Sequence, residues 1–154
     1  MTVSSAPASD TPSPQQVGTH MFGADRASRG LGMRIVALGA GSARLEMTVR
    51  DDMLNGFDIC HGGFITTLAD SAFAFACNSS GEMTVAAGLS VDFLAPARAG
   101  DVLTARAFEV LQQGRTGLYD IAVTNQRGEQ VALVRGRAHR IKGQRVLETK
   151  GGRA

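Results

Sequence analysis

Residues 55–81 read NGFDICHGGFITTLADSAFAFACNSSG, a His-Gly-Gly turn followed by an apolar run that a single aspartate, Asp70, interrupts. Phe64, Leu68, Ala72 and Phe75 recur at spacings of four and three, and Asn78 to Gly81 supply a stop. The pattern predicts a helix from Gly63 to about Ser80. No Lys, Glu or Gln occurs between Gly62 and Gly81. A helix apolar over most of its circumference must be enclosed on more than one side, and the flanking sequence indicates by what.

Upstream, MRIVALG and ARLEMTVR are rich in β-formers and joined by Gly39 to Ser42, the composition of a hairpin, and DDMLNGFDIC then reads as a loop. Downstream, MTVAAGLSVDFL, DVLTARAFEVLQQ, TGLYDIAVTNQ and EQVALVRGRAHRI are β-type runs separated by turn signals, and they read as a meander of long strands. Two strands, one enclosed helix and further strands make an α+β arrangement, a long central helix wrapped by a curved antiparallel sheet. That is the outline of the hotdog fold. Ser13 before Pro14 has the form of an N-cap with proline at the first helical position, predicting a short N-terminal helix through about Arg29 that Gly30 and Gly32 close. Residues 1–13, rich in Ser, Pro, Ala and Thr, read as a disordered tail, 14–142 as one domain, and 143–154 as a flexible polar tail.

A chain of 154 residues that is 44% hydrophobic suits one core. Sixteen basic against fourteen acidic residues leave a net charge of +2, too balanced to make nucleic acid the default partner but suited to an anionic ligand. No run has membrane-spanning length, and MTVSSAPASDTPSPQQ lacks a basic region followed by an apolar one, so the expected location is the cytoplasm, off the membrane. Cys60 and Cys77 flank the predicted helix and so lie roughly 20 Å apart, beyond the ~7 Å Cα separation a disulfide allows. They read as free, buried fillers. His20, His61 and His139 are scattered and no C-x-x-C occurs, so no metal is expected.

At about 100° per residue, Gly63, Thr66, Thr67, Ala74 and Cys77 project within about 60° of Asp70. A carboxylate on a strip of small side chains suggests a surface closed by a partner. The alternative is a buried structural acid satisfied by the hydroxyls of Thr66, Thr67 or Ser71. At the helix start, His61-Gly62-Gly63 leaves backbone N–H groups unshielded at the positive end of the helix dipole, where a carbonyl oxygen can be polarised. Gly62 and Asp70 lie about 12 Å apart along one axis, too far to serve one carbonyl together. Two chains paired about a two-fold axis with antiparallel helices would bring Gly62 of one near Asp70 of the other, giving two composite sites per dimer. His61 and Asn55 also have plain readings, a hydrogen-bonded histidine at a glycine turn and the first residue of an Asn-Gly turn.

NGFDICHGGFITTLADSAFAFACNS, with SVDFLAPARAGDVLTA and TGLYDIAVTNQRGEQVALVRGRAHRI, resembles the phenylacetic-acid-degradation-type (PaaI-type) hotdog thioesterases over roughly residues 20–142. The resemblance implies hydrolysis of acyl-CoA thioesters carrying a ring or hydroxylated-ring acyl group, with no cofactor beyond the coenzyme A of the substrate. It implies a homotetramer built from two hotdog dimers. Gly62 would donate its N–H to the thioester carbonyl, Asp70 from the facing chain would act as nucleophile or general base, Asn55 would orient the water, and His61 would shape the turn. Gly63 at the helix start, with Arg98, Arg115, Arg137 and Arg140 at turns or on the last strand, are candidates for holding the substrate, the arginines through its phosphates. VAAGLS offers Ala86 and Ala87 where related thioesterases can place a supporting serine, so Ser90 is given no role. Two other functions fit the fold: a hydratase or dehydratase, for which Asp70 has no helical histidine partner, and a non-catalytic acyl-CoA sensor.

Overall fold

The computed structural model describes residues 10–148. Six strands, β1 (Arg34–Gly39), β2 (Ser42–Thr48), β3 (Glu82–Phe93), β4 (Val102–Gln113), β5 (Thr116–Thr124) and β6 (Gln130–Arg145), form one antiparallel sheet around α3 (Gly62–Cys77). This is the hotdog arrangement expected from the element order. The inner sheet face supplies Leu45, Met47, Leu103, Tyr119, Ile121 and Val134, all buried, and α3 lays Leu68, Ala72 and Phe73 onto it. Phe73 meets Tyr119 with ring centroids 5.5 Å apart. It also lies on Gly136, where an added Cβ would stand 2.9 Å from the ring, so this glycine lets the helix approach β6 closely. Losing such a ring costs about 3–5 kcal/mol.

The strand order, β1-β2-β4-β5-β6-β3, corrects the expected four-strand meander. Strands β4, β5 and β6 follow one another, but β3 pairs with the far side of β6 and forms a sheet edge. The segment 94–101 carries the chain across, and backbone bonds hold it: Cys60 N–H donates to Ala97 O at 2.7 Å and Val49 N–H to Asp101 O at 2.8 Å. Those bonds deliver Val102 opposite Thr48, which seats β4 beside β2. Composition identifies strands, but it carries no information on which edge a long strand will present.

The N-terminal helix is two helices, α1 (Pro14–Ala24) and α2 (Arg26–Gly30), not one through Arg29. Ser13 and Gln16 form the capping box at its start. Asp25 makes the break: its carboxylate accepts from Ser28 N–H at 2.9 Å, caps a new helix and leaves its own backbone outside helical geometry at φ −83, ψ 87. The loop at 51–60 contains a 3₁₀ turn, Asp51–Met53, and a bridge between Leu54 and Cys60. Strand β6 passes the expected boundary at residue 142, kinks at Gly143 (φ +75) and pairs Arg145 with Glu82. Of the expected tails, 1–9 and 149–154 lie outside the described residues, whereas Ser13 is a helix cap and Pro12 packs near Gly81. Among the described residues, no helix is long and apolar enough to cross a membrane.

Candidate active site

Helix α3 begins at Gly62, one residue earlier than expected, because His61 caps it. The His61 Nδ1 accepts from Gly63 N–H at 3.2 Å, and His61 O accepts from Phe64 N–H at 3.0 Å. Nδ1 is therefore an acceptor, and a neutral ring carries its proton on Nε2. Of the first N–H groups of the helix, Gly62 N–H has no acceptor among the described residues. It stands at the positive end of a sixteen-residue helix. Asn55 organises the preceding loop: its Oδ1 accepts from Phe57 N–H at 2.9 Å, and its backbone N–H donates to Ile59 O at 2.8 Å. Asp58 takes φ 57, an uncommon conformation for a residue with a side chain, held by its N–H bond to Asn55 O. With Oδ1 engaged, the Asn55 amide NH₂ is left to donate elsewhere.

These groups meet at a cavity of about 750 Å³ lined by Asn55, His61 and Gly62 together with Ile59, Phe93 and Leu94. Its size and apolar walls with a few convergent polar groups fit a small-molecule site. Gly63 and Thr66 also line it, whereas Asp70 does not. Two thiols near α3 are inert: burial pushes Cys60 up to about 11 and Cys77 up to about 12. Both are free and buried, as expected.

Asp70 is half-buried, as are Thr66, Thr67 and Ala74, while Leu68, Ala69, Ala72, Phe73 and Ala76 on the other faces are buried. The strip of small residues thus lies open along one side of α3, except at Cys77, which is buried and so does not extend it. The hydroxyls that could have satisfied Asp70 are committed elsewhere. Thr66 Oγ1 donates to Gly62 O and Thr67 Oγ1 to Gly63 O, each at 2.8 Å. Ser28 Oγ donates to Asp25 Oδ2 at 2.6 Å, so in the 2.8 Å pair of Ser28 and Ser71 it is Ser71 that donates. The Asp70 carboxylate is left without a donor among the described residues, against the structural-acid alternative. Burial raises its pKa above the ordinary value, and the nearby Asp25 carboxylate raises it further.

A raised carboxylate pKa means that the folded protein binds the Asp70 proton more tightly than the unfolded chain does. Ionisation above that pKa therefore costs stability, and the cost disappears as pH falls through it towards the ordinary value. Asp70→Asn should accordingly raise Tm near neutral pH and lose this advantage in acid, where both side chains are neutral. Thermal melts of the two proteins across pH check this; an equal or lower Tm for the variant at neutral pH would contradict it.

The arginines are spread out. Arg98 follows Pro96 and Ala97 at the cavity wall. Arg115 sits in the β4–β5 turn, in a basic corner with Arg140, Lys142 and Arg145, and Arg140 is paired with Glu82 at 2.8 Å. Arg137 is exposed on β6 and donates to Ala87 O at 3.2 Å. Within one chain the structure brings Asn55, His61, Gly62 and Gly63 together, with Arg98 nearby, and leaves Asp70, Arg115 and Arg137 apart from them. Sequence reasoning passed over Phe93 and the link from Asp25 through Ser28, and it named Ser71 only as a partner for Asp70. Helical periodicity hints at Ser71, but only tertiary contact places Phe93 against Gly62.

A family model described as Thioesterase superfamily matches residues 57–132, which include His61, Gly62, Asp70 and Phe93. The chain is 49% identical over 124 residues to the acyl-coenzyme A thioesterase PaaI of Escherichia coli (strain K12), covering 80% of this chain and 88% of that protein. The solved structure of the E. coli PaaI protein from the phenylacetic acid degradation operon matches with a TM-score of 0.83 at 46% identity, covering 84% of this chain and 94% of that one. A Streptococcus mutans UA159 protein solved bound to acetyl CoA matches with a TM-score of 0.69 at 28% identity, over 71% of this chain and 88% of that one.

Proposed function

The chain belongs to the thioesterase superfamily as a PaaI-type acyl-CoA thioester hydrolase, and we propose that it hydrolyses aryl-acyl-CoA thioesters, phenylacetyl-CoA or its ring-hydroxylated forms, at sites shared between two protomers. The observation that carries this reading is a pair of unused groups on one helix. Among the described residues Gly62 N–H has no acceptor and Asp70 has no donor, and about 12 Å of helix separates them. Each is open to a complement that the described residues of its own chain do not supply. A second copy with its helix antiparallel brings Asp70 of the partner subunit to the cavity at Gly62. The unpaired edge of β3 and the open small-residue strip support such a dimer, and a homotetramer of two dimers follows the resemblance.

In this arrangement the thioester carbonyl accepts from Gly62 N–H, and the helix dipole favours the negative charge that grows on its oxygen. The Asn55 NH₂ donates to a water, and Asp70 of the partner subunit takes the water proton as the new C–O bond forms. The C–S bond then breaks, and coenzyme A departs with the proton. The same carboxylate placed closer to the carbonyl would serve as nucleophile. A raised pKa makes Asp70 both a stronger base and a better nucleophile, so it serves either route. A thioester is electrophilic enough for these groups, so the reading invokes no cofactor.

Coenzyme A phosphates would be met by cations at the cavity rim, Arg98 from the same chain and others brought by a partner. Free-thiol release from phenylacetyl-CoA and hydroxyphenylacetyl-CoA, compared with straight-chain acyl-CoAs, tests the substrate. The aryl thioesters should give the higher kcat/KM. Turnover of alkyl thioesters alone would refute the aryl assignment, and absence of thiol release from any acyl-CoA would favour a sensor.

A further inference from the structure

We propose that Phe93 determines acyl specificity, its ring forming the wall against which an aromatic acyl group stacks beside the Gly62 N–H; this rests on the thioesterase reading of the same cavity. Phe93 ends β3, opposite Ala132 of β6, and its side chain reaches back over the start of α3. A Cβ built on Gly62 would stand 2.7 Å from Phe93 Cζ and 3.1 and 3.2 Å from Cε1 and Cε2. The far edge of the ring therefore rests against the glycine whose N–H is unpaired. A residue larger than glycine at position 62 and a phenyl ring at position 93 compete for one space.

Phe93 is 55% exposed, although it lines the cavity. An aromatic ring held at one edge, with its face open beside a polar donor, is a surface with an unfilled partner. Its neighbours on the wall, Leu94, Ala95 and Pro96, are apolar and offer no hydrogen bonds to compete with a ring. Once a carbonyl oxygen accepts from Gly62 N–H, the acyl carbons next to that carbonyl lie within a few ångströms of Phe93. A ring on a one-carbon tether then falls within the 4.5–7 Å centroid range of offset or edge-to-face packing. A flexible alkyl chain fills the same volume without the ring-to-ring electrostatics and loses more rotational freedom.

The test compares kcat/KM for phenylacetyl-CoA and hexanoyl-CoA in wild type, Phe93→Leu and Phe93→Tyr. Leucine keeps an apolar wall and should lower the aryl-to-alkyl ratio roughly 10-fold, chiefly through KM for the aryl substrate, because the contact is made in ground state and transition state alike. Tyrosine keeps the ring and should hold the ratio within about twofold of wild type. An unchanged ratio in Phe93→Leu overturns the assignment, including when activity falls equally on both substrates, since that result marks a residue that only supports the helix start. Size-exclusion profiles and thermal melts matching wild type establish that the variants are folded. Turnover of both thioesters by wild type with an unchanged ratio in the leucine variant refutes Phe93 alone; a wild type inactive on both refutes the thioesterase reading and the Phe93 role with it.

Discussion

Asp70→Asn should lower kcat for aryl-acyl-CoA hydrolysis by about 100-fold or more, with KM near the wild-type value. The substitution is nearly isosteric, and no donor among the described residues loses a partner. What it removes is the ability to take a proton from water or to attack the carbonyl. Because the raised pKa makes the ionised form costly to the fold, the variant should be nearly inactive and more stable than wild type near neutral pH. An unfolding artefact would lower both properties, so the two measurements together separate chemistry from folding. Wild-type kcat/KM should also fall as pH drops through the Asp70 pKa, which burial sets above the ordinary aspartate value. Thiol release measured across pH checks both expectations, and hydrolysis unaffected by the substitution would remove Asp70 from the mechanism.

Much of this was legible in local pattern. The α3 helix, its cap region and the hairpin before it follow from periodicity and turn residues, and the strip bearing Asp70 follows from 100° per residue applied to GGFITTLADSAFAFAC. What local pattern could not carry is partnership between distant segments. The commitment of Thr66 and Thr67 to backbone carbonyls, and of Ser71 to Ser28, left an ambiguous acid with no donor among the described residues. Ser28 is 43 residues from Ser71, so no helical wheel reports that bond. Likewise β3 reads as a strand from composition, yet its pairing with β6 decides that Phe93 ends above Gly62. Asp25 misled for the opposite reason: its side chain competes with the helix locally, and a pattern that extends through Arg29 gives no sign of the break.

Gly62→Pro and Asp70→Asn, each nearly inactive alone, should restore activity when combined in one mixed oligomer. Proline is suited to position 62 because it deletes an N–H that has no acceptor among the described residues and because proline is favoured at the first residue of a helix. His61 already has φ −60 and ψ 131, the extended conformation a residue before proline requires. The new ring meets chiefly the tip of the half-exposed Phe93, so the variant disturbs the aromatic wall of the same site as well as deleting its N–H, and both effects stay with one protomer's half of the site. Removing one oxyanion donor should lower kcat by about 10²–10³-fold. If each site takes its N–H from one protomer and its carboxylate from the other, a mixed dimer has one site with both lesions and one with neither. Random pairing of equal amounts makes about half the dimers mixed, so about a quarter of wild-type sites should return. If a single chain supplied both groups, every site would carry a lesion and mixing would restore nothing. Co-expression of the two variants with different tags, tandem purification of the mixed species and measurement of thiol release decide between these outcomes.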